Sequence, residues 1–508
     1  MQKISVSFLV MGAMLFFACK TAPETEKYSI ELYRPQLHFT PETGWMNDPN
    51  GMVYYKGVYH LFYQHNPDST VWGPMHWGHA TSTDLINWER QPIALYPDSL
   101  GMIFSGSAVL DEENTSGFGK DGKTPYVAIF TYHHPEKEKL GKNDHQNQGI
   151  AYSLDNGKTW TKFAGNPVLK SPGIRDFRDP KVFWHAESSK WLMALAAGDR
   201  IMFYSSPDLK TWKNESAFGE TAGAHGGVWE CPDLFPLTYE GKTVWVLIVN
   251  LNPGGPNGGS ATQYFLGDFD GKTFSPHSTQ TKWLDYGPDN YAGITWSNTG
   301  DRKIFMGWMS NWLYANQVPT QKWRSAMTIA RDLQLQKVNN EIYLACIPVR
   351  EIDKMIGKRN LVKNVKVQGT VNLTEDFDGI KAPFLLEMEL DTANDFKLIF
   401  SNSAGEQMIL GYEKSSNQYY IDRTKSGEIS FHEAFAGKHT APRISKSNTI
   451  KFSLVADVSS LEWFADDGLT AMTSIFFNKA GFNKIEIQSV AGVTIRKGGH
   501  FPLRGPNL

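Results

Sequence analysis

Cysteine is nearly absent: three in 508 residues, at positions 19, 231 and 346. That is no disulfide framework, and a chain of this length can rest on its hydrophobic core without one. Basic excess is missing too. The formal net charge is −3, which argues against nucleic acid as a partner, because phosphate binding needs a concentrated cationic surface. Helical periodicity is scarce. Phosphate-loop chemistry is lacking: NPGGPNGGS at 252–260 has no Lys-Ser/Thr after its glycines and reads as a long turn near a rim. His133 and His134 adjoin, with no third metal ligand at a plausible spacing, so neither metal nor cofactor is expected. The run PEKEKLGKND reads as a solvated charge cluster.

What is there begins with an apolar N-terminus. ISVSFLVMGAMLFFA follows Lys3 and is shorter than the ~20 residues that span a bilayer, so it reads as a signal segment. Cys19 follows Ala18, and a polar KTAPETEK comes next. The pattern resembles a bacterial lipoprotein signal. It implies a signal at 1–19 with Cys19 lipidated, a flexible tether at 20–29, and a membrane-anchored, extracytoplasmic protein facing the periplasm or the cell surface. The alternative is an ordinary secreted chain in which this cysteine has no role.

Aromatics reach 13%, with 16 Trp, a composition that suits stacking surfaces and bulky sheet cores alike. Short apolar runs such as GMVYYKGVYHLFYQ, TPYVAIFTYH, KWLMALAAG and DRKIFMGWMS alternate with Gly, Pro, Asn and Asp clusters. These are strands separated by turns. A weak repeat runs through them: Asp84 precedes Trp88, Asp155 precedes Trp160, Asp208 precedes Trp212 and Asp270 precedes Phe274. Multi-stranded repeats of that size predict propeller blades, five of them over 30–348. Unrelated hairpins sharing turn chemistry would give the same pattern.

Beyond a polar joint at 349–361 the character changes. LLEMEL places Leu386, Met388 and Leu390 on one face, and TIKFSLVA does the same for Ile450, Phe452, Leu454 and Ala456. Period two with a polar opposite face predicts half-buried antiparallel strands, hence a β-sandwich over 362–508. The expected class is all-β: a five-bladed propeller followed by a β-sandwich.

Three carboxylates sit where turns meet strands. In WMNDPNG, Pro49 and Gly51 hold Asp48 on a tight turn beside Asn47. In FRDPKVFW, Asp179 lies between Arg178 and Pro180, and the guanidinium is expected to keep it ionised. In WECPDLF, Glu230 lies between Trp229 and Cys231, an apolar setting expected to raise a carboxyl toward the range of a general acid. Cys231 fills space there, with some electrostatic tuning. Each alone is more often structural. One from each of three blades would converge on a central funnel, and carboxylates in an aromatic pocket suit glycosidic cleavage.

WMNDPNG, FRDP and WECPDLF closely resemble the signatures of glycoside hydrolase family 32, the β-fructosidases. YQHNP, WGPMHWGHA, FSGSAV, WLDYGPDNYAGITWSN and GWMSNWLYAN match in order, and SSLEWFADDGLTAMTSIFF resembles the family's C-terminal sandwich. The resemblance implies Asp48 as nucleophile, Glu230 as acid/base and Asp179 as transition-state stabiliser, with retention and about 5–5.5 Å between nucleophile and acid. It also implies a fructose site of Trp45, Asn47, Gln64, Trp72, Phe104, Ser105, Arg178 and Trp312, with Asp289 facing the pocket. The substrate expected is fructan or fructo-oligosaccharide, levan or inulin and also sucrose, cleaved from the non-reducing end. An endo-acting fructanase, transfer of fructose to another sugar, and a catalytically inert fructan-binding lipoprotein are the alternatives.

Overall fold

The computed structural model describes residues 31–505. The signal segment, Cys19 and the tether lie outside them. Among the described residues, no helix is long and apolar enough to cross a membrane.

Alternating apolar runs and turns build five sheets in chain order, each based on a four-stranded antiparallel meander, to which the first, fourth and fifth add a fifth short strand. The innermost strands are Gly44–Tyr55, Met102–Leu110, Phe177–His185, Val228–Tyr239 and Tyr291–Thr295. Four are buried along most of their length and Val228–Tyr239 along its first two thirds, as expected for strands covered on both faces. The ring closes between blades one and five. Gly44 and Trp45 pair in parallel with Trp323 and Arg324, while Tyr54 N donates to Ser297 O and Ser297 N to Met52 O. Gly44 is obligatory here: its φ is +79° and a Cβ would stand 2.4 Å from Asn66 O.

The aspartate–aromatic repeat is the turn from third to fourth strand in blades one to four. Asp84 accepts from Ile86 N and Asn87 N, Asp155 from Thr159 N, Asp208 from Lys210 N and Thr211 N, and Asp270 from Lys272 N and Thr273 N. These side chains satisfy turn amides that no strand pairs. Blade five makes the same connection with Asn339 and Asn340 alone, between Arg331–Val338 and Glu341–Pro348, which is why the repeat stops at four.

After a short 3-10 turn, Arg350–Met355, one ten-stranded sheet bends into two layers around the long strand Lys484–Pro502. The start of that strand pairs with Phe396–Ser401 and its end with Phe384–Leu390. Leu386, Met388, Leu390, Ile450, Phe452, Leu454 and Ala456 fill the space between layers with Leu398, Phe400, Leu410 and Ile421. The opposite face of these strands carries Glu387, Glu389, Lys451 and Ser453, polar as period two predicts, but turns apolar and buried at one end. Leu385, Val455, Phe464 and Phe501 pack with Leu333, Leu344 and Cys346 of blade five. The propeller takes the place of solvent there.

Buried charge crosses the same contact. His38 Nδ1 lies 2.7 Å from Asp457 Oδ2 and Nε2 lies 2.7 Å from Glu462 Oε1. Arg331 joins Glu462 to Asp285, with 2.8 Å from Nη1 to Asp285 Oδ2, and all these side chains are fully buried. Burial opposes charge on His38, but its bonds to the two carboxylates outweigh this and raise it from 6.5 to about 9. The folded value exceeds the unfolded one, so this clamp stabilises fully below pH 6.5 and is lost as pH rises through about 9. Denaturant midpoints are expected to fall across that window. His38→Ala should flatten the dependence and cost about 3–5 kcal/mol at neutral pH, the range for breaking a buried pair. An unchanged slope in the variant would remove His38 from the account.

Candidate active site

The five inner strands share one irregularity. Each gains one residue over its neighbour near its N-terminal end: between Met46 and Pro49, Ile103 and Gly106, Arg178 and Lys181, Glu230 and Asp233, and Tyr291 and Ile294. Such bulges bend a strand and re-aim side chains. Asp179, Cys231 and Ala292 take positive φ values of 66°, 42° and 54° to make them. Three of the bulges carry a proline: Pro49 closes the first, while Pro180 and Pro232 lie inside theirs at positions the ladder leaves unpaired, where a missing N–H costs nothing. The Asp-Pro and Cys-Pro pairs thus mark where the ring turns its side chains toward one mouth.

Asp48, Asp179 and Glu230 meet there, lining one pocket of about 220 Å³. Asp48 Oδ2 accepts from Ser105 Oγ at 2.6 Å and Oδ1 from Asn47 Nδ2 at 2.9 Å. Asp179 Oδ2 accepts from Cys231 N at 3.1 Å. Cys231 Sγ lies between the two aspartates, 3.5 Å from Asp48 Oδ2 and 3.6 Å from Asp179 Oδ2. Burial and the three surrounding carboxylates push its thiol well up, so it stays protonated, a weak donor to both while filling the base. Burial raises Asp48 above the usual carboxylate range, the charge of Glu230 adds to this, and the bonds from Ser105 and Asn47 oppose it.

Two expectations about neighbours are corrected. Arg178 does not pair closely with Asp179. Its guanidinium turns to Glu230 Oε1 (Nη2 2.9 Å, Nε 3.2 Å) and to Asp176 Oδ1 (2.6 Å), and approaches Asp179 only to 4.0 Å. Burial therefore leads, and Asp179 is pushed up; Arg178 opposes that shift, while Glu230 and Asp48 reinforce it. Glu230 in turn has no apolar seat. Trp229, beside it, points into the core between blades three and four and donates to Ala224 O, because successive strand residues face opposite ways. Glu230 is held instead by Arg178 and by Tyr291, whose hydroxyl donates to Oε2.

Of the expected fructose-site residues, Asn47, Gln64, Trp72, Phe104, Ser105, Arg178 and Trp312 line the pocket. Gln64 Nε2 donates to Asn50 Oδ1 and Ile103 O, leaving its oxygen for a ligand. Trp45 is fully buried and outside the lining. It stacks on Trp312 (5.7 Å, 26°) and donates to Asn47 Oδ1 at 2.7 Å, so it orients two residues that do face the cavity. Lining residues that sequence reasoning missed are His133, Glu138, Gln146 and Asp176, together with Tyr291 at Glu230. Asp176 lies two before Arg178 in the approach to one strand, a spacing that could have flagged it. His133 stacks flat on Phe104 (4.2 Å, 3°), and Glu138 comes from the run read as solvated charge. A larger groove of about 780 Å³, between blade five and the sandwich, contains none of the three carboxylates.

Asp289 is the misplaced residue. It is wholly buried and ion-paired to Arg423 of the sandwich at 2.6 Å, accepts from Ile475 N at 2.9 Å, and meets the Tyr314 hydroxyl at 2.5 Å. It joins the propeller to the sandwich because its partner, Arg423, lies on the sandwich face that abuts it. Asp289→Ala should cost about 3–5 kcal/mol by stranding Arg423, with KM unchanged in the folded fraction. A KM rise without loss of stability would return it to the pocket. The 252–260 turn also ties propeller to sandwich, through Asn257, which donates to Tyr286 O and Thr440 O.

Comparison with known proteins agrees with this geometry. The signature described as glycosyl hydrolases family 32 N-terminal domain matches residues 38–346, and that of the family 32 C terminal matches residues 351–498. The chain is 44% identical over 505 residues to a levanase of Bacillus subtilis, covering 97% of this chain and 73% of the levanase. It is 41% identical over 499 residues to an extracellular exo-inulinase of Aspergillus niger, covering 91% and 93%. The crystal structure of an exo-inulinase from Aspergillus awamori superposes with TM-score 0.86 at 37% identity, covering 94% and 99%. A fructofuranosidase from Schwanniomyces occidentalis complexed with fructosylnystose gives 0.85 at 34%, covering 93% and 98%.

Proposed function

Since the chain belongs to glycosyl hydrolase family 32 and is a glycosidase of the β-fructosidase type, we propose that it hydrolyses β-fructofuranosidic bonds of fructans, releasing fructose from the non-reducing end with retention. The observation that carries this is the convergence of Asp48, Asp179 and Glu230 in one pocket walled by Trp72, Phe104 and Trp312.

Asp48 is the nucleophile. Its carboxylate attacks the anomeric carbon of the terminal fructose while the bond to the leaving oxygen breaks and Glu230 gives that oxygen its proton. Glu230 then takes a proton from water, whose oxygen attacks the same carbon and releases the Asp48 carboxylate. Two displacements retain configuration. Positive charge developing on the ring is offset by the carboxylates, and Asp179, fixed by Cys231 N, grips fructose hydroxyls. Asn47, Gln64, Ser105 and Arg178 add hydrogen bonds, and the aromatic walls take the sugar's C–H faces. The base is closed by Cys231 and Asp179, which favours a chain end over a mid-chain segment. The levanase and exo-inulinase names of the relatives support levan and inulin as substrates, with sucrose as a short one.

The protein works outside the cytoplasm, in keeping with the extracellular relative. A lipid anchor at Cys19 is part of this proposal, supported by the apolar run before it; palmitate labelling that survives Cys19→Ser would remove the anchor. A product time course on levan, inulin and sucrose tests the reading. Fructose alone from the first minutes is expected. A ladder of oligosaccharides would replace it with endo action, and longer products with transfer.

A further inference from the structure

A second cavity lies at the other end of the propeller axis. It measures about 460 Å³, within the ~300–1,000 Å³ typical of ligand sites. Two of the inner strands that carry the carboxylates near their starts, those of Asp179 and Glu230, help build it from their later residues, Lys181, Phe183, Asp233 and Phe235 among them. Between the two cavities only a void of about 10 Å³ remains, closed round by Pro49, Pro180, Pro232 and Ile294. The far cavity is therefore separate from the catalytic pocket.

Its chemistry is specific. At the mouth stands Trp184, 39% exposed and set edge-on to Trp191 at 5.1 Å. Trp191 is itself fixed by its bond to Thr115 Oγ1 at 2.8 Å. An exposed indole plane on a rigid support is a platform for an apolar face. Around it are Glu112, Glu113 and Asn298, all exposed. In the floor, buried Lys181 lies 3.2 Å from Asp233 Oδ2 and donates to Thr295 O at 2.6 Å. Asp233 is fully buried, and its Oδ1 has no hydrogen-bond partner. A buried acceptor left unpaired is costly, so the floor favours a hydroxyl donor. Four carboxylates, Asp111, Glu112, Glu113 and Asp233, share the lining with two lysines, Lys181 and Lys303, so the cavity is acidic and disfavours an anion.

We propose that this far cavity is a non-catalytic binding site for a neutral polyhydroxylated chain, a segment of the fructan polymer, with the sugar stacked on Trp184 and its hydroxyls shared among Glu112, Glu113 and Asn298. The identity of the sugar rests on the function proposed above. A site remote from the pocket holds the enzyme on the polymer between cleavages at chain ends, raising the local concentration of ends. It has no part in turnover of a disaccharide.

Native electrophoresis through gels containing levan or inulin tests this, in a Glu230→Gln background that does not digest the gel. Adding Trp184→Ala should abolish most of the polymer-dependent retardation while mobility in blank gels stays the same. In the active enzyme the same substitution should leave kcat/KM for sucrose unchanged and lower it several-fold for polymer. The exposed pair Glu112→Ala/Glu113→Ala should act in the same direction, and decides the matter if Trp184→Ala also loses sucrose turnover. Unchanged retardation in both variants overturns the inference. The two readings fail separately: a wild-type enzyme that releases no fructose overturns the proposed function, whereas one that releases fructose but whose variants bind polymer like their parent overturns only the second site.

Discussion

Asp48→Asn is expected to lower kcat on fructan and sucrose by about 10⁴- to 10⁶-fold, the scale seen when a covalent nucleophile is removed. The amide has nearly the shape of the carboxylate and keeps one of its two bonds, that from Ser105 Oγ, while Asn47 must turn its own amide, so the pocket keeps its form. The variant should even hold or gain thermal stability. Burial and the charge of Glu230 both push Asp48 upward, and a neutral side chain feels neither. Loss of activity with Tm maintained would separate chemistry from folding. Retention of more than a few per cent of wild-type turnover would assign the attack to another group.

Glu230→Gln should lower kcat by about 10²- to 10⁴-fold, the contribution of a positioned acid/base. Its signature is selective rescue. An aryl fructoside whose leaving group needs no proton should form the fructosyl enzyme at close to the normal rate and then stall, giving a burst. Azide, an anion that needs no base, should release the stalled sugar as the β-fructosyl azide. Rescue with inverted configuration would contradict the double displacement, and full activity of the variant on fructan would remove Glu230 from the acid/base role. The positions of Arg178 and Tyr291 matter here, since both hold the carboxyl that glutamine replaces.

Features resting on neighbours in sequence were legible in advance. Asp84, Asp155, Asp208 and Asp270 bond to amides two to four residues away, so the turn they make is written locally, and its recurrence predicted blades. Asp48-Pro49 and Asp179-Pro180 were readable as constrained turns for the same reason. The alternation of Leu386, Met388 and Leu390 told which side of a strand meets the sandwich core. It could not tell that the other side meets the propeller, because period two reports two faces and not what covers the second.

Whatever depended on distant partners was not legible. Asp289 and Arg423 lie 134 positions apart, and the sequence offered nothing to choose that pairing over a place in the pocket. Arg178 stands next to Asp179 in the chain yet bonds to Glu230, 52 positions on, because the bulge between Arg178 and Lys181 turns adjacent side chains in different directions. By itself the amino-acid order determined the all-β class, the blade turns, the sandwich core and the three acidic side chains suited to glycosidic chemistry. Only the closed ring decided which charges face one another, since five inner strands, each bulged near its start, set those distances together, and no single stretch of chain contains that constraint.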